Sequence, residues 1–191
     1  KLCYEKVTKN IAPQRIDVVK KLQIGPTLAE TAKEILGIEF LHKHEDFVSQ
    51  FKYEYDQILL SQTNAYKGVN EMLNELKSRG NKIAIATNKR KEPTLKIIKH
   101  LNWGNYFSWI ACVNPESKIL KNKSELVRSI LTNEIDFQKS FFVGDTLNDA
   151  LCAKENNLKF IKASYGYSEI KGWENFDIYQ DVSNPINILE I

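Results

Sequence analysis

The sequence predicts an α/β protein in which a helical region precedes a mostly parallel sheet. From residue 64 onward, short apolar runs alternate with amphipathic stretches of helical period, which is the pattern of βαβ units. Residues 1–63 carry apolar side chains at helical spacing and contain no clear strand. Residues 61–68 (SQTNAYKG) are polar and typical of a turn. We therefore predict two domains, residues 1–63 and residues 64–191.

The first region contains four predicted helices. A short helix carries Tyr4 and Val7, and a second begins at Pro13. A third keeps a helical period over residues 28–36 and stops at Gly37. The longest runs over about residues 43–60 and turns these side chains to one face: Phe47, Phe51, Tyr55, Ile58 and Leu59. This pattern predicts a small helical bundle.

The second region alternates predicted helices and strands. Amphipathic helices are expected over residues 69–79, from Pro93 to about residue 101, and over residues 123–131. Short apolar runs predict strands at residues 82–86, 109–113, 141–143 and 159–163, with a weak fifth near residues 177–179. Because helices separate successive strands, we expect the strands to be mostly parallel.

Composition excludes several classes of function. The chain has 191 residues, 42% of them hydrophobic, and a net charge of +3, with no basic face concentrated enough for nucleic acid. No apolar run approaches the roughly 20 residues that span a membrane, and no signal peptide is visible. The spacing of the three cysteines, Cys3, Cys112 and Cys152, suggests reduced thiols. We therefore expect a cytoplasmic protein that binds neither nucleic acid nor membranes, with its oligomeric state left open.

The stretch from Ser140 to Ala153 (SFFVGDTLNDALCA) is the most informative part of the chain. Residues 141–143 are the apolar run of a buried strand, and Asp145 and Asp149 follow it. Magnesium prefers oxygen ligands and is commonly held by one or two carboxylates. In open α/β sheets, ligands bind at the carboxyl ends of the strands. The pattern is consistent with a magnesium site, although an aspartate that caps the following helix would look the same.

Polar side chains also follow the other strands. Thr87 and Asn88 end the strand at residues 82–86, and Lys118, Lys121 and Lys123 follow the next strand. Each has a simpler explanation, since Thr-Asn often caps a helix and the lysines could face solvent. Together, however, hydroxyl, amide, lysine and carboxylate groups are a set that suits phosphoryl transfer, which depends mainly on positioning and charge stabilisation.

Three segments in order, KIAIATNKR (82–90), KNKSELVRSIL (121–131) and FFVGDTLNDALCAKENNLKFIKASYGYS (141–168), resemble the haloacid dehalogenase superfamily of phosphatases. The resemblance is greatest to its phosphoglycolate phosphatase-like branch. It implies a Rossmann-like core at residues 64–191 and a helical cap domain at residues 1–63 that closes over the site. It also implies a Mg²⁺-dependent phosphatase that hydrolyses a small phosphorylated metabolite through an aspartyl-phosphate intermediate.

The resemblance also assigns roles to individual residues. Thr87 and Asn88 would bind the transferring phosphoryl group, and Asp145 and Asp149 would bind magnesium, directly or through water. Lys121 would neutralise phosphate charge, because the helical LVRSIL segment follows it as expected. The proline that usually follows this lysine is absent, so Lys118 remains the alternative.

One departure from the family is serious. The D-x-D-G-T motif that supplies the nucleophile and the general acid is absent from residues 1–191, and Asp17, Asp46 and Asp56 all lie in helical patterns. By resemblance, the motif and its strand would precede Lys1 and fill the centre of the sheet. We therefore expect the chain as given to be inactive and to expose apolar strand edges.

The sequence leaves other activities open. A sugar phosphomutase and a dehalogenase of the same superfamily are alternatives, although Asp149 favours metal-dependent phosphoryl chemistry over dehalogenation by resemblance. The missing nucleophile also allows an inactive relative that binds a phosphorylated ligand or a partner protein.

Overall fold

The computed structural model describes residues 1–23, 25–113, 122–131, 137–167 and 171–191. It divides the chain into two compact units, Lys1–Thr63 and Asn64–Ile191, which are described separately below. Among the described helices, none combines the length and the apolar character that crossing a bilayer requires.

The first unit is helical throughout its regular structure. Its helices are α1 (Leu2–Ile11), α2 (Ile16–Lys21), α3 (Leu28–Leu36) and α4 (His44–Ile58), and α4 packs against both α1 and α3. Its core includes the fully buried side chains Val7, Ile35 and Phe47. The three aspartates of this unit lie on α2 and α4, in agreement with the helical pattern of the sequence.

The second unit alternates helices and strands. The helices are α5 (Val69–Ser78), α6 (Lys91–His100), α7 (Lys123–Ile130) and α8 (Leu147–Glu155). The strands are β1 (Ile83–Thr87), β2 (Phe107–Cys112), β3 (Phe141–Gly144), β4 (Lys159–Ala163) and β5 (Gln180–Val182). This order confirms the predicted α/β class.

All of the described strand pairs are parallel, as predicted. β1 pairs with β2, and β4 lies between β3 and β5 in a second sheet. Helix α7 packs against β1, β2 and α8, while α8 packs against β3 and β4. Thus α7 and α8 together form one helical layer that covers both sheets.

Two predicted element positions were wrong. The fifth strand lies at Gln180–Val182 rather than near residues 177–179, because its register with β4 pairs Gln180 with Ile161, and only the Tyr179 N–H reaches β4 before it. Helix α6 begins at Lys91, two residues before Pro93. Proline is tolerated there because the N–H groups of a helix's first turn have no acceptor within the helix.

Strand β3 forms where it was predicted but is not buried as expected. Val143 is 41% exposed and Phe141 is 37% exposed, whereas Phe160 and Ile161 on the neighbouring strand β4 are buried. Both exposed residues line a groove that separates β3 from β1. The apolar run therefore indicated a strand correctly, but the described residues leave Phe141 and Val143 partly exposed in this groove.

Candidate functional site

Asp149 lies in the first turn of α8 and is held by a dense set of hydrogen bonds. Its Oδ2 atom accepts from the Thr146 backbone N–H at 3.1 Å, from Thr146 Oγ1 at 2.7 Å and from the Asp145 N–H at 3.3 Å. Thr146 is the N-cap residue of α8 and accepts from the Asp149 N–H in return. This reciprocal capping box fixes the Asp149 carboxylate at the amino end of the helix, where the helix dipole stabilises negative charge.

Lys123 completes the environment of Asp149. Its Nζ atom lies 2.5 Å from Asp149 Oδ1, and both side chains are nearly buried. The simpler interpretation of Lys123 as a solvent-facing lysine was therefore wrong. The side chain turns inward because Lys123 is the first residue of α7, which packs against α8. Lys118 and Lys121, the two lysines that the resemblance singled out, lie outside the described residues.

Asp145 follows β3 directly, and a backbone group of the loop after β4 holds its carboxylate. Its Oδ2 atom accepts a 2.7 Å hydrogen bond from the backbone N–H of Tyr167. Gly166 lies so close that a Cβ atom at this position would overlap the Asp145 carboxylate. Among the described residues, no hydrogen bond reaches Asp145 Oδ1. The loop after β4 thus orients the carboxylate, and no described residue donates a hydrogen bond to its second oxygen.

Two tyrosines feel the negative charge of this carboxylate. The rings of Tyr66 and Tyr165 meet edge to face, with their centroids 5.4 Å apart. Burial and the negative charge of Asp145 both raise the pKa of Tyr165, and burial, Tyr167 and Asp145 raise the pKa of Tyr66. Both phenols therefore stay protonated at neutral pH and can donate hydrogen bonds. Sequence reasoning did not single out these two tyrosines, because 99 positions separate them.

Thr87 ends β1, on the opposite side of the groove from β3. Its Oγ1 atom accepts from the Lys89 backbone N–H at 3.1 Å, and its carbonyl accepts from the Val113 N–H. Asn88 follows in the same turn. Within the described part of the chain, no hydrogen bond joins Thr87 to Asp145 or to Asp149. The structure therefore joins the two aspartates with Lys123, while Thr87 and Asn88 remain predicted site residues at the neighbouring strand end.

The carboxylates differ in their suitability as metal ligands. The described residues contain no cluster of three or more acidic, histidine or cysteine side chains. Magnesium does not need such a cluster, since it is usually bound by one or two carboxylates together with water and substrate phosphate. Asp145, with its available Oδ1 atom, fits this requirement. Asp149 already pairs with Lys123 and Thr146 and is better suited to a supporting position.

The cysteines do not offer an alternative nucleophile. All three are free thiols, and burial raises the pKa of Cys3, Cys112 and Cys152, in the last case to about 12. Since the thiolate is the reactive form, these side chains are unreactive at neutral pH. Among the described residues, the two carboxylates and Lys123 therefore remain the candidates for chemistry at this site.

Comparison with known proteins identifies the family. The model of the family described as haloacid dehalogenase-like hydrolase matches residues 3–163. The chain belongs to the haloacid dehalogenase-like hydrolase family. This confirms the resemblance that the three sequence segments indicated, and the matched region includes Thr87, Asp145 and Asp149.

Curated relatives of this chain include several phosphoglycolate phosphatases. The protein from Nitrosospira multiformis is 30% identical over 119 residues, which cover 62% of this chain and 52% of the relative. The protein from Psychrobacter arcticus is 26% identical over 175 residues, which cover 90% of this chain and 72% of the relative. The chain spans about half the length of the first of these relatives.

Solved structures show the same fold. A predicted phosphatase from Clostridium acetobutylicum matches with a TM-score of 0.80 and 20% identity, over 99% of this chain and 91% of that chain. A haloacid dehalogenase-like family hydrolase from Streptococcus pneumoniae matches with a TM-score of 0.75 and 18% identity, over 98% and 90% of the two chains. At these identities the comparison bears on the fold alone.

Proposed function

We propose that this hydrolase is a Mg²⁺-dependent phosphatase that acts on a small phosphorylated metabolite, with phosphoglycolate as the first candidate substrate. The observation that carries the proposal is the Asp145 carboxylate. It follows β3, is oriented by the Tyr167 N–H, and has one oxygen that no described residue contacts by a hydrogen bond. The similarity to phosphoglycolate phosphatases supports the choice of substrate class.

Each residue of the site has a proposed role. Asp145 would hold Mg²⁺, which when bound would neutralise charge on the phosphoryl oxygens. Asp149 would keep Lys123 in place and support the metal through water. Thr87 and Asn88 would donate hydrogen bonds to the phosphoryl group, and Lys121, or Lys118 in its place, would contribute a positive charge.

The proposed chemistry passes through an aspartyl phosphate. The attacking carboxylate belongs to a D-x-D segment that residues 1–191 do not contain, since every aspartate of the first unit lies on a helix. Attack on phosphorus releases the alcohol, which the second aspartate of that segment protonates, and water then hydrolyses the acyl phosphate. The helical unit Lys1–Thr63 would act as the cap domain that selects the substrate.

The test is release of inorganic phosphate from phosphoglycolate and from a panel of sugar phosphates by the purified natural protein. We expect Mg²⁺-dependent release, and we expect Asp145→Asn to lower kcat at least 100-fold, a loss typical of removing one key electrostatic group. Asp177→Asn is the matched control, because Asp177 is exposed and lies outside the site. Near-normal turnover in Asp145→Asn would refute the metal assignment.

The same assay separates the other activities. Phosphate retained on a rearranged sugar would indicate a phosphomutase, and halide release from a haloacid would indicate a dehalogenase. Magnesium binding without any turnover would indicate an inactive, ligand-binding relative. Each of these results would replace the phosphatase proposal.

A further inference from the structure

A ring contact joins the start of the second unit to the loop that follows β4. The rings of Tyr66 and Tyr165 meet edge to face with their centroids 5.4 Å apart. Pairs with this geometry attract each other beyond the burial of their surface, because the positive edge of one ring meets the negative face of the other. The contact therefore restrains the loop from a part of the chain that lies far from it in sequence.

Tyr66 is a fixed point for this contact. Its carbonyl oxygen accepts a 3.2 Å hydrogen bond from the N–H of Val69, the first residue of α5. Gly68, the N-cap residue of α5, has a φ of 91°, and a Cβ atom there would lie 3.1 Å from atoms of Asn184 and Ile186. The turn that carries Tyr66 is thus tied to α5 and closely packed.

The loop after β4 carries both Tyr165 and the backbone group that holds Asp145. Only Gly166 separates Tyr165 from Tyr167, whose N–H donates the 2.7 Å hydrogen bond to Asp145 Oδ2. The Gly166 N–H donates to the Ala163 carbonyl at 3.0 Å, which closes a turn around Tyr165. In so short a turn, a displacement of Tyr165 would also move the donor that orients the carboxylate.

The ring pair lies close to the carboxylate without belonging to the apolar core. Tyr66 is 47% exposed, and neither ring is part of the clusters of buried apolar side chains. The negative charge of Asp145 acts on both phenols, in agreement with a position near this carboxylate. Among the described residues, none forms a hydrogen bond with either hydroxyl group. The rings, rather than the hydroxyls, are therefore the groups that restrain the loop.

We propose that Tyr66 is a positioning residue for the Asp145 carboxylate. Its ring packs against Tyr165 and so keeps the loop after β4 in the conformation that presents the Tyr167 N–H to Asp145 Oδ2. This role rests on the phosphatase function proposed above, since it takes Asp145 to be the Mg²⁺ ligand. Loss of the ring would release the carboxylate, and Mg²⁺ would then bind more weakly.

The experiment measures amide hydrogen exchange by ¹H–¹⁵N NMR in the natural protein after removal of divalent ions, and separately the Mg²⁺ concentration that gives half-maximal phosphate release. We expect Tyr66→Leu to speed exchange at the Tyr167 amide about fivefold or more and to raise the Mg²⁺ midpoint by a similar factor, because leucine loses the ring pairing. Amides of β4 should exchange within twofold of the wild-type rate, which distinguishes this effect from general destabilisation. Tyr66→Phe keeps the ring and should retain both wild-type values.

Tyr179→Leu is the matched control. Tyr179 is 51% exposed and its ring centroid lies 5.3 Å from that of Phe141, so its exposure and ring distance are close to those of Tyr66. This contact involves the amino end of β3, whereas Asp145 follows the carboxyl end. The control should leave exchange at the Tyr167 amide within twofold of the wild-type rate. An equal acceleration in both variants would overturn the proposal.

A double variant tests the route through Tyr165. In a Tyr165→Leu background, Tyr66→Leu should change exchange at the Tyr167 amide less than twofold, because the two rings act as a unit. Additive effects, an unchanged Tyr167 amide or Mg²⁺ midpoint in Tyr66→Leu, or a Tyr66→Phe variant that behaves like Tyr66→Leu would overturn the proposal. The exchange measurement needs neither Mg²⁺ nor turnover. If it gives the expected pattern but no phosphate is released, the positioning of Asp145 stands and the phosphatase proposal alone fails.

Discussion

Gly166 controls the position of the Asp145 carboxylate. A Cβ atom at position 166 would overlap this carboxylate, whose Oδ2 atom accepts from the next backbone N–H, that of Tyr167. We predict that Gly166→Ala displaces Asp145 and raises the Mg²⁺ concentration needed for half-maximal activity at least tenfold. A merely structural defect would lower activity at all Mg²⁺ concentrations without shifting this midpoint.

The control is Gly104→Ala. A Cβ atom at position 104 meets nothing within 4 Å, and the backbone there has no positive φ. This variant should keep the wild-type Mg²⁺ midpoint. An unchanged midpoint in Gly166→Ala would show that the loop after β4 does not orient Asp145.

The ion pair between Lys123 and Asp149 is expected to stabilise the fold. Both side chains are nearly buried, so Lys123→Met would leave the Asp149 carboxylate without its charged partner. We predict a loss of about 3 kcal/mol in the free energy of unfolding, because removing one member of a buried pair leaves an uncompensated charge. Urea denaturation measures this loss.

Lys154→Met provides the comparison for that variant, because Lys154 is an exposed lysine near the end of α8. It should change the free energy of unfolding by less than about 0.5 kcal/mol. A similarly small change in Lys123→Met would mean that the pair adds no stability. The double variant Lys123→Met with Asp149→Asn should recover part of the loss, since the stranded charge is then removed.

Among the helices, α3 begins with a capping box formed by Thr27 and Glu30. Thr27 Oγ1 accepts from the Glu30 N–H at 3.3 Å, and Glu30 Oε2 accepts from the Thr27 N–H at 2.8 Å. We predict that Thr27→Ala lowers the free energy of unfolding of the first unit by about 1 kcal/mol, the usual cost of losing an N-cap. Thr27→Ser keeps the hydroxyl and should retain most of the stability in the same urea titration.

Helices were more predictable than strands in this chain. The apolar spacing over residues 28–36 and the glycine at position 37 predicted both ends of α3, because these signals depend only on residues that are neighbours in the chain. The fifth strand was misplaced because its start depends on where pairing with β4 begins, at Gln180 opposite Ile161. That register is set by contacts between residues far apart in the chain, which local propensity does not contain.

The site also combines features that neighbouring residues determine with contacts between residues far apart in the chain. The sequence predicted that Asp145 and Asp149 directly follow the strand at residues 141–143, and the structure places Asp145 just before the N-cap of α8 and Asp149 in its first turn. The approach of Lys123 to Asp149 spans 26 residues, and that of Tyr167 to Asp145 spans 22. Contacts of this length arise from the packing of α7, α8 and β4, so the sequence alone could not predict them.

At the scale of the whole molecule, the arrangement of the sheet could be predicted only in part. Alternating helices and strands predicted parallel pairing, and every described pair is parallel. The expectation of exposed apolar strand edges is met at Phe141 and Val143, which line the groove between the two sheets. The burial predicted for the same run was wrong because it assumed a complete layer.

A Mg²⁺ titration followed by ¹H–¹⁵N NMR tests, without any need for turnover, the proposal that Asp145 holds Mg²⁺ at the end of β3. We predict saturable shifts in the amide signals of Asp145, Thr146 and Tyr167, and their loss in Asp145→Asn. Absence of shifts at these amides in the wild-type protein, or shifts that persist in Asp145→Asn, would contradict the account.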